Sequence, residues 1–467
     1  MQALEHFFSS DGPLAAAIPG YRLRQQQLDM ANRVATAINS QQVLVAEAGT
    51  GTGKTFAYLV PAMLSGGKVI ISTGTKTLQD QLFNKDVPMV RAALGAPVRV
   101  ALLKGRANYV CHYHLERALN DGRFLTPEDA GYARRIKRFL KETRTGDKAE
   151  CYDVPENSQV WDLATSNRDN CLGQECPHHK ECFVLAARRE ALAADLVVVN
   201  HHLFFADVML RDDGTAELLP ACNTVIFDEA HQVPEVATLF FGDSLSTAQV
   251  VDLARDSRSE GLASARDCLD LQTACRSLEK AAKDLRLSVG LDSGRFDVAR
   301  LAGNLEFDKA LEGLQAELER IQAILQTQAE RSEGLEKCWQ RSGELLTGLQ
   351  RWRQPDGPGY VRWVEAFSHA LQLNATPLDV AEIFKKQMSG HPRAWVFTSA
   401  TLAVQGRFEH YCAELGLWGA ETACWESPFD YPQQAVLYAP QRMPEPNSPL
   451  YTEAVVEATW PVLQASG

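Results

Sequence analysis

The first half of the chain alternates short apolar, β-branched runs with longer stretches of helical spacing. The runs are residues 43–45, 69–71, 98–103, 196–199 and 225–227, and a similar run at residues 395–397 follows much later. Continuous apolar runs of this length, each followed by a turn and a helix, are typical of strands buried on both faces of a parallel sheet. The pattern therefore predicts an α/β fold built around one parallel sheet.

Two long stretches interrupt this pattern. Residues 111–189 contain five of the eleven cysteines. Residues 244–373 are rich in Leu, Ala, Glu, Gln and Arg, with apolar residues such as Leu311, Leu314 and Leu318 at helical spacing. We expect the first stretch to be a cysteine-rich inserted domain and the second a helical inserted domain, whose exit is predicted at the turn formed by residues 357–359.

Length and composition indicate a globular protein of several domains. A chain of 467 residues is longer than one hydrophobic core usually supports, so several domains are expected. Hydrophobic residues make up 45% and charged residues 23%, which is typical of a globular protein. We expect a cytoplasmic protein with no membrane partner, because residues 1–10 lack a secretory pattern and no apolar run approaches about 18 residues. In that reducing compartment, eleven cysteines are expected to be free or metal-bound.

The charge distribution gives two opposing indications about nucleic acid. The net charge of -12 argues mildly against a nucleic-acid partner. Residues 133–148, however, contain seven Lys or Arg residues and only two acidic ones. This basic stretch is either a solvated helix face or a surface that follows DNA phosphates.

A glycine-rich loop follows the first predicted strand. The sequence Ala48-Gly49-Thr50-Gly51-Thr52-Gly53-Lys54-Thr55 lies between that strand and a helical stretch, which is the context of a phosphate-binding loop. Glycines let successive backbone N–H groups face the β- and γ-phosphates, Lys54 adds a positive charge and the Thr55 hydroxyl binds Mg²⁺. Ala48 stands where the general pattern has glycine, a small departure.

Two adjacent carboxylates, Asp228 and Glu229, follow the predicted strand at residues 225–227. Parallel sheets bind ligands at this edge. Asp228 is expected to hold Mg²⁺ through water, and Glu229 to orient and deprotonate the water that attacks the γ-phosphate. An isolated Asp-Glu pair is usually a solvated turn, but the upstream phosphate loop favours the catalytic interpretation.

Four cysteines have spacings that suit a metal centre. Thiolates in fours bind either a cubane iron-sulfur cluster or a tetrahedral zinc ion, and His178 and His179 lie close enough in sequence to be zinc ligands. Spacing alone leaves three alternatives open: an iron-sulfur cluster, zinc, or unrelated buried thiols. The four residues are Cys111, Cys171, Cys176 and Cys182.

Several segments resemble helicase motifs in the expected order. Residues 228–231 spell the DEAH box of the superfamily 2 helicases, residues 21–30 resemble the Q-type motif, residues 71–79 motif Ia and residues 398–402 motif III. The resemblance implies that ATP is the nucleotide and assigns further roles. These are adenine binding by Arg24 and Gln27, catalysis by His231, and contact with DNA or coupling to it by Thr73, Gly74, Thr75, Asn200, His201, Ser399 and Thr401.

The cysteine-rich insertion indicates which group of helicases the chain resembles. It opens with Lys-Gly-Arg-x-Asn-Tyr-x-Cys and lies between motifs Ia and II, which looks like the XPD-like iron-sulfur helicases. Residues 170–177, 200–204 and 427–431 resemble the bacterial YoaA-type branch, close kin of DinG. This resemblance implies a 4Fe-4S cluster on the four cysteines, single-stranded or forked DNA as partner, 5′ to 3′ movement, and a role in DNA repair or replication-stress tolerance.

The resemblance also implies a domain organisation around a RecA-like motor domain. The expected divisions are residues 1–110, 190–243 and 374–434 as parts of motor domain 1, residues 111–189 as the iron-sulfur cluster domain, residues 244–373 as the helical arch domain, and residues 435–467 as the start of motor domain 2. In that last part we expect a strand at residues 435–438 and a helix at residues 449–463.

The expected activity has two alternatives. The family continues into motifs IV to VI with an arginine finger, so we expect the chain as given to bind nucleotide and cluster but to unwind DNA poorly. One alternative is therefore a nucleotide- and DNA-binding module without turnover. The other is an RNA-directed motor, because DEAH boxes also occur in RNA helicases.

Overall fold

The computed structural model describes residues 2–122, 124, 126–168, 170–212, 218–290, 293–301, 303–354, 360–377, 380–388 and 392–466. The strands are β1 (Val43–Ala48), β2 (Val69–Thr73), β3 (Val100–Leu102), β4 (Leu196–Asn200), β5 (Thr224–Asp228), β6 (Asp243–Ser246), β7 (Gly294–Asp297), β8 (Tyr360–Ala366), β9 (Leu371–Pro377), β10 (Ala394–Ser399) and β11 (Glu421–Trp425).

The helices lie between these strands and around them. In chain order they are α1 (Gln2–Phe8), α2 (Pro13–Ala17), α3 (Gln25–Ser40), α4 (Lys54–Leu64), α5 (Lys76–Gln81), α6 (Val87–Leu94), α7 (His112–Asp121), α8 (Pro127–Phe139), α9 (Val160–Ala164), α10 (Phe183–Ala193), α11 (His201–Asp212), α12 (Val233–Phe241), α13 (Thr247–Ser264), α14 (Leu269–Leu287), α15 (Val298–Leu301), α16 (Leu305–Gln328), α17 (Glu333–Arg353), α18 (Val380–Met388), α19 (Glu409–Leu415), α20 (Tyr431–Gln434) and α21 (Tyr451–Ser466).

The main sheet is parallel and has seven strands in the order β11-β1-β10-β5-β2-β4-β3. All six predicted strands are present, and the α/β prediction is confirmed. Alternate residues of β5 enter different cores, with Val225 and Phe227 on one face and Ile226 on the other. Because both faces pack against helices, the strands are apolar throughout.

The cysteine-rich insertion lies between β3 and β4. Helices α7, α8 and α9 enclose a small core that includes Leu115, Ile136 and Trp161. The segment that enters it, residues 109–111, is held by isolated β-bridges, such as Val110 with Thr165. The predicted limits of the cluster domain remain predictions.

The second insertion was expected to be a helical domain, but only part of it is helical. Helices α13, α14, α16 and α17 pack together with Leu314, Leu318 and Ile321 in their core, but an antiparallel sheet in the order β6-β9-β8-β7 completes the unit. This sheet pairs segments far apart in sequence, such as β6 with β9, so helical spacing did not indicate it. The turn predicted at residues 357–359 lies outside the described residues.

The predicted strand at residues 435–438 is wrong. This segment has no regular structure, and Val436 and Leu437 are 92% and 96% exposed. A strand needs a neighbouring strand to satisfy its backbone, and none lies beside it in the described part of the chain. The following helix, α21, agrees with the predicted one. Among the described residues, no helix is both long and apolar enough to cross a membrane.

Candidate nucleotide, metal and DNA site

The glycine-rich loop connects β1 to α4 at the carboxyl edge of the sheet. Gly51 and Gly53 have φ angles of 89° and 82°, in the left-handed region that favours glycine. Gly53 is the N-cap of α4, whose first residue is Lys54. The Thr52 hydroxyl donates to the Gly49 carbonyl over 2.9 Å. The strand, loop and helix that a phosphate-binding loop requires are therefore all in place.

Two carboxylates face this loop from the end of β5. Lys54 Nζ is 3.9 Å from Glu229 Oε1, and the Tyr58 hydroxyl donates to Asp228 Oδ2 over 3.1 Å. Burial and then the charge of Glu229 raise the pKa of Asp228 to about 6. Thr55 follows Lys54 in the first turn of α4. The predicted Mg²⁺-binding and water-activating groups thus lie together.

The backbone of Glu229 is strained. Its φ of 55° and ψ of 44° are in the left-handed region, which a residue with a Cβ seldom adopts. A conformation of this kind costs about 1–3 kcal/mol and is typical of functional positions, where the surrounding structure fixes it. The strain therefore coincides with the carboxylate predicted to activate water.

The DEAH histidine is connected to motif III. His231 Nδ1 lies 2.8 Å from Ser399 Oγ, at the end of β10. The Ser399 hydroxyl lies 3.4 Å from Glu229 Oε2 and also accepts the backbone N–H of Thr401 over 3.4 Å. Glu229, His231 and motif III therefore form one hydrogen-bonded group. Ser399 is buried and Thr401 is exposed, so of these two only Thr401 is available to a DNA strand.

The Q-type residues lie at the back of the phosphate loop. Gln27 is 2% exposed, and its Nε2 donates to the Gly53 carbonyl over 3.0 Å. The Tyr21 hydroxyl is 3.3 Å from Gln27 Oε1. Gln27 thus contacts the loop directly, and its contact with adenine stays a prediction. Arg24 is the half-buried N-cap residue of α3. The sequence motif did not single out Tyr21 or Tyr58.

The end of β11 and the residues that follow it, residues 425–431, lie across the phosphate loop. The Trp425 carbonyl accepts the Gly49 N–H over 2.9 Å, and the Ser427 hydroxyl donates to the Thr50 carbonyl over 2.7 Å. A Cβ added to Gly51 would lie 2.3 Å from the Phe429 ring. Residues 427–431 carried the resemblance to a helicase branch, but their contact with the loop could not be predicted from the sequence.

The motif Ia residues form the turn after β2. Thr73 is buried and its hydroxyl donates to the Thr75 carbonyl over 3.1 Å, while the Thr75 side chain caps α5 by accepting the Leu78 N–H over 3.2 Å. Gly74 lies so close to Gln232 that a Cβ there would be 2.5 Å from its side chain. Thr75 is exposed, so a DNA strand could reach its side chain, whereas Thr73 contributes only to the shape of the turn.

His201 differs from its predicted position. The hypothesis that it faces DNA is wrong, because its side chain is fully buried and its Nδ1 lies 2.7 Å from Ser72 Oγ. Burial lowers the pKa of His201 to about 3, so the ring is neutral. The neighbouring Asn200 is half-buried, and its Oδ1 accepts the Leu203 N–H over 2.9 Å. A role for His201 in coupling stays a prediction.

The four predicted metal-binding cysteines line a single cavity of about 220 Å³. Arg106 Nη1 donates to Cys171 Sγ over 2.9 Å. Burial, with a contribution from the neighbouring thiols, raises the pKa of Cys111 to about 11. Burial and the charge of Arg106 lower the pKa of Arg188 to about 10. The cavity therefore combines four thiols with two half-buried cations that would balance thiolate charge.

Four thiols around one cavity are a donor set that both iron-sulfur clusters and zinc sites use. In the described part of the chain, no group of three His, Cys, Asp or Glu side chains converges as ligands of one ion. His178 Nε2, a possible zinc ligand, lies 2.9 Å from Glu116 Oε2. Cys151 is buried in the core of the cluster domain and does not line the cavity.

The basic stretch of residues 133–148 lies largely at the surface. Six of its seven Lys and Arg side chains are exposed, and Lys148 is half-buried. Arg135 lies over the Tyr132 ring and donates to the Asp153 carbonyl over 2.9 Å. The exposed side chains are Arg134, Arg135, Lys137, Arg138, Lys141 and Arg144.

Comparison with known proteins finds similarity to helicases. A family model described as DEAD/DEAH box helicase matches residues 28–117. The chain is 42% identical to the ATP-dependent DNA helicase YoaA of Escherichia coli (strain K12) over 98% of this chain and 72% of that protein. It is 40% identical to the ATP-dependent DNA helicase YoaA of Haemophilus influenzae over 99% of this chain and 72% of that protein.

A comparison of structures gives a more distant similarity. A solved structure described as truncated XPD is 14% identical, with a TM-score of 0.42, and the match covers 85% of this chain and 98% of that one.

Proposed function

The chain belongs to the YoaA family of ATP-dependent DNA helicases, and from this premise we propose that it uses ATP hydrolysis to move 5′ to 3′ along single-stranded DNA and to separate strands at forks. The proposed context is DNA repair or replication-stress tolerance in the cytoplasm. The observation that carries the proposal is the hydrogen-bonded group of Glu229, His231 and Ser399, which connects the phosphate loop to motif III.

The proposed hydrolysis begins with binding of the ATP phosphates by the loop and Lys54. Bound Mg²⁺, held by Thr55 and through water by Asp228, would reduce the negative charge on the phosphates. Glu229 orients a water molecule in line with the γ-phosphate and accepts its proton. Because Ser399 contacts both Glu229 and His231, a change at the γ-phosphate would alter the motif III turn, where Thr401 is exposed.

We further propose that Cys111, Cys171, Cys176 and Cys182 hold a 4Fe-4S cluster. The cluster would cross-link the segment of residues 109–111 to the segment before α10 and so keep this domain rigid. Arg106 and Arg188 would balance the negative charge of the thiolates. Support comes from the shared cavity and from the resemblance to iron-sulfur helicases. A zinc ion on the same thiols is the alternative, and metal analysis after anaerobic purification separates the two.

The test of the helicase function compares nucleic acids and site variants. We expect ATP hydrolysis to be stimulated more by single-stranded DNA than by RNA. We expect the weak unwinding predicted for this chain to favour a fork with a 5′ tail over one with a 3′ tail. Glu229→Gln should retain ATP binding and lose hydrolysis, whereas Lys54→Ala should lose ATP binding. Equal stimulation by RNA would favour the RNA-directed alternative, and binding of ATP and DNA without any hydrolysis would favour the binding-module alternative.

A further inference from the structure

Glu47 is a carboxylate at the end of β1, directly before the phosphate loop. The strand register places it beside Ser399 of β10 on one side and Cys424 of β11 on the other. Because side chains alternate along a strand, Glu47 lies on the same face of the sheet as Val45, which belongs to the same core as Phe397 of β10. The Glu47 side chain is half-buried. The sequence motifs assigned no role to it.

The Glu47 carboxylate binds the motif III turn, which we define as residues 399–403. Its Oε2 accepts the backbone N–H of Leu402 over 2.5 Å and that of Ala403 over 2.6 Å. Short hydrogen bonds of this kind are typical of a charged acceptor. The Cys424 thiol donates to the other oxygen, Oε1, over 3.5 Å. One side chain of β1 therefore satisfies two successive backbone donors of the motif III turn.

The motif III turn is held at two points. The first anchor is Ser399, whose hydroxyl accepts the Thr401 N–H and contacts both His231 and Glu229. The second anchor is Glu47, which holds the next two N–H groups. Three consecutive backbone donors thus bond to side chains of two different strands, β10 and β1. The exposed Thr401 lies in the chain between Ser399 and the two residues that Glu47 holds.

The two anchors differ in how they depend on nucleotide. Ser399 contacts Glu229, the carboxylate proposed to act at the γ-phosphate, so the surroundings of this anchor change with the occupant of the site. Glu47 belongs to β1, which is paired on both sides in the interior of the sheet, so the sheet fixes its position. With one end of the turn fixed, a shift at Ser399 rotates the turn at Thr401 instead of displacing the turn as a whole.

We propose that Glu47 is a positioning residue whose carboxylate is the fixed anchor of the motif III turn and makes the DNA affinity of the chain depend on bound nucleotide. This inference rests on the proposed function, which supplies ATP and a single DNA strand as the two ligands. It adds a second connection between the nucleotide site and motif III, separate from the group formed by Glu229, His231 and Ser399.

The experiment measures the dissociation constant of a fluorescent single-stranded oligonucleotide, first without nucleotide and then with Mg²⁺ and a saturating non-hydrolysable ATP analogue. The ratio of the two constants is the coupling factor, and allosteric coupling typically changes affinity about 5-fold or more. We expect the unmodified chain to show a factor in this range. Glu47→Ala should abolish most of it. The variant should still bind the analogue without DNA, because the hydrogen bonds of the Glu47 side chain go to motif III and β11.

Two further substitutions separate the reach of the side chain from its charge. Glu47→Gln is uncharged but keeps the length and an oxygen that can accept both N–H groups, so it should retain part of the coupling. Glu47→Asp keeps the charge but is shorter, so it should lose the coupling. Glu47→Asp also replaces Glu47→Ala if that variant does not fold, as judged by thermal unfolding.

Glu421→Ala is the matched control. Glu421 is exposed and lies at the opposite end of β11 from the phosphate loop. The substitution makes the same change in net charge as Glu47→Ala and should leave the coupling factor unchanged.

Hydrogen exchange reports on the anchor itself. The amides of Leu402 and Ala403 should exchange slowly in the unmodified chain and faster in Glu47→Ala, as measured by mass spectrometry on peptides that span the motif III turn. A merely structural contact would change this exchange and leave the coupling factor as it was.

The outcomes separate this inference from the proposed function. If the unmodified chain binds no single-stranded DNA with or without the analogue, the proposed function fails. If it binds DNA but the analogue does not change the affinity, or if Glu47→Ala keeps the coupling factor, only the anchor role of Glu47 is overturned. The same conclusion follows if Glu421→Ala lowers the factor equally, or if Glu47→Asp keeps the coupling that Glu47→Gln loses, because charge alone would then decide.

Discussion

The Tyr58 hydroxyl donates a hydrogen bond to Asp228 Oδ2 across 3.1 Å. Tyr58 belongs to α4, the helix that follows the phosphate loop, and its side chain is fully buried. Asp228 is the carboxylate expected to hold Mg²⁺ through water, so its orientation decides where the metal lies. The pair therefore connects the helix that follows the phosphate loop to the strand that carries the metal-binding carboxylate.

We expect Tyr58→Phe to weaken the use of Mg²⁺. The variant keeps the ring in the core but removes the donor that orients Asp228, and a hydrogen bond to a charged group is worth about 1.5–3 kcal/mol. The concentration of Mg²⁺ needed for half-maximal nucleotide binding should rise several-fold, as measured by fluorescent-nucleotide titration. If thermal stability falls but the Mg²⁺ midpoint does not move, Tyr58 serves packing alone.

Gly51→Ala should impair ATP binding for two separable reasons. The new Cβ would lie 2.3 Å from the Phe429 ring, and the φ of 89° disfavours any residue with a Cβ. Gly20→Ala is a matched control, because Gly20 has a φ of 72° but nothing within 4 Å of the position of a Cβ. The control should lose about 1 kcal/mol of stability, the backbone contribution alone.

Adding Phe429→Ala tests the steric part of that prediction. If the ring is the obstacle, the double variant Gly51→Ala/Phe429→Ala should recover part of the ATP affinity measured by titration calorimetry. No recovery would mean that the backbone of the loop, and not the overlying segment of residues 425–431, accounts for the loss.

Much of this site could be predicted because its signals are local. The strands are apolar on both faces, and the phosphate loop and DEAH box each occupy a few consecutive residues, so their chemistry is visible in the sequence. The inward orientation of His201 depends on Ser72, which lies 129 residues earlier, and no local pattern marks it. The same limit explains the antiparallel sheet of the second insertion, whose strands β6 and β9 pair although they lie far apart in the sequence.

Cys171→Ser should remove the proposed cluster. Cys171 lines the cavity and accepts a hydrogen bond from Arg106, whereas Cys151→Ser changes a buried cysteine of the same domain that does not line it. After anaerobic purification, the unmodified chain and Cys151→Ser should contain about four irons and absorb in the visible range, and Cys171→Ser should do neither. Visible absorption that survives in Cys171→Ser would reject the ligand role, and one zinc without iron would replace the cluster with the alternative metal.

Acidification should destabilise the protein through His201. Its pKa is about 3 in the folded chain and about 6.5 when unfolded, so the unfolded state binds the additional proton between these values. The stabilising contribution is therefore present above pH 6.5 and is lost as the pH falls toward 3. Between about pH 7.5 and 5.5 this histidine should account for a loss of about 1 kcal/mol in the free energy of unfolding.

The His201→Gln variant isolates this contribution. Glutamine can still bond to Ser72, so the variant should be less stable at neutral pH only to the extent that packing suffers. Between about pH 7.5 and 5.5, the unmodified chain should lose about 1 kcal/mol more free energy of unfolding than the variant does, as measured by denaturant titration. If the two pH profiles run parallel, the pKa of His201 is the same in the folded and unfolded chain, and the lowering of its pKa by burial is disproved.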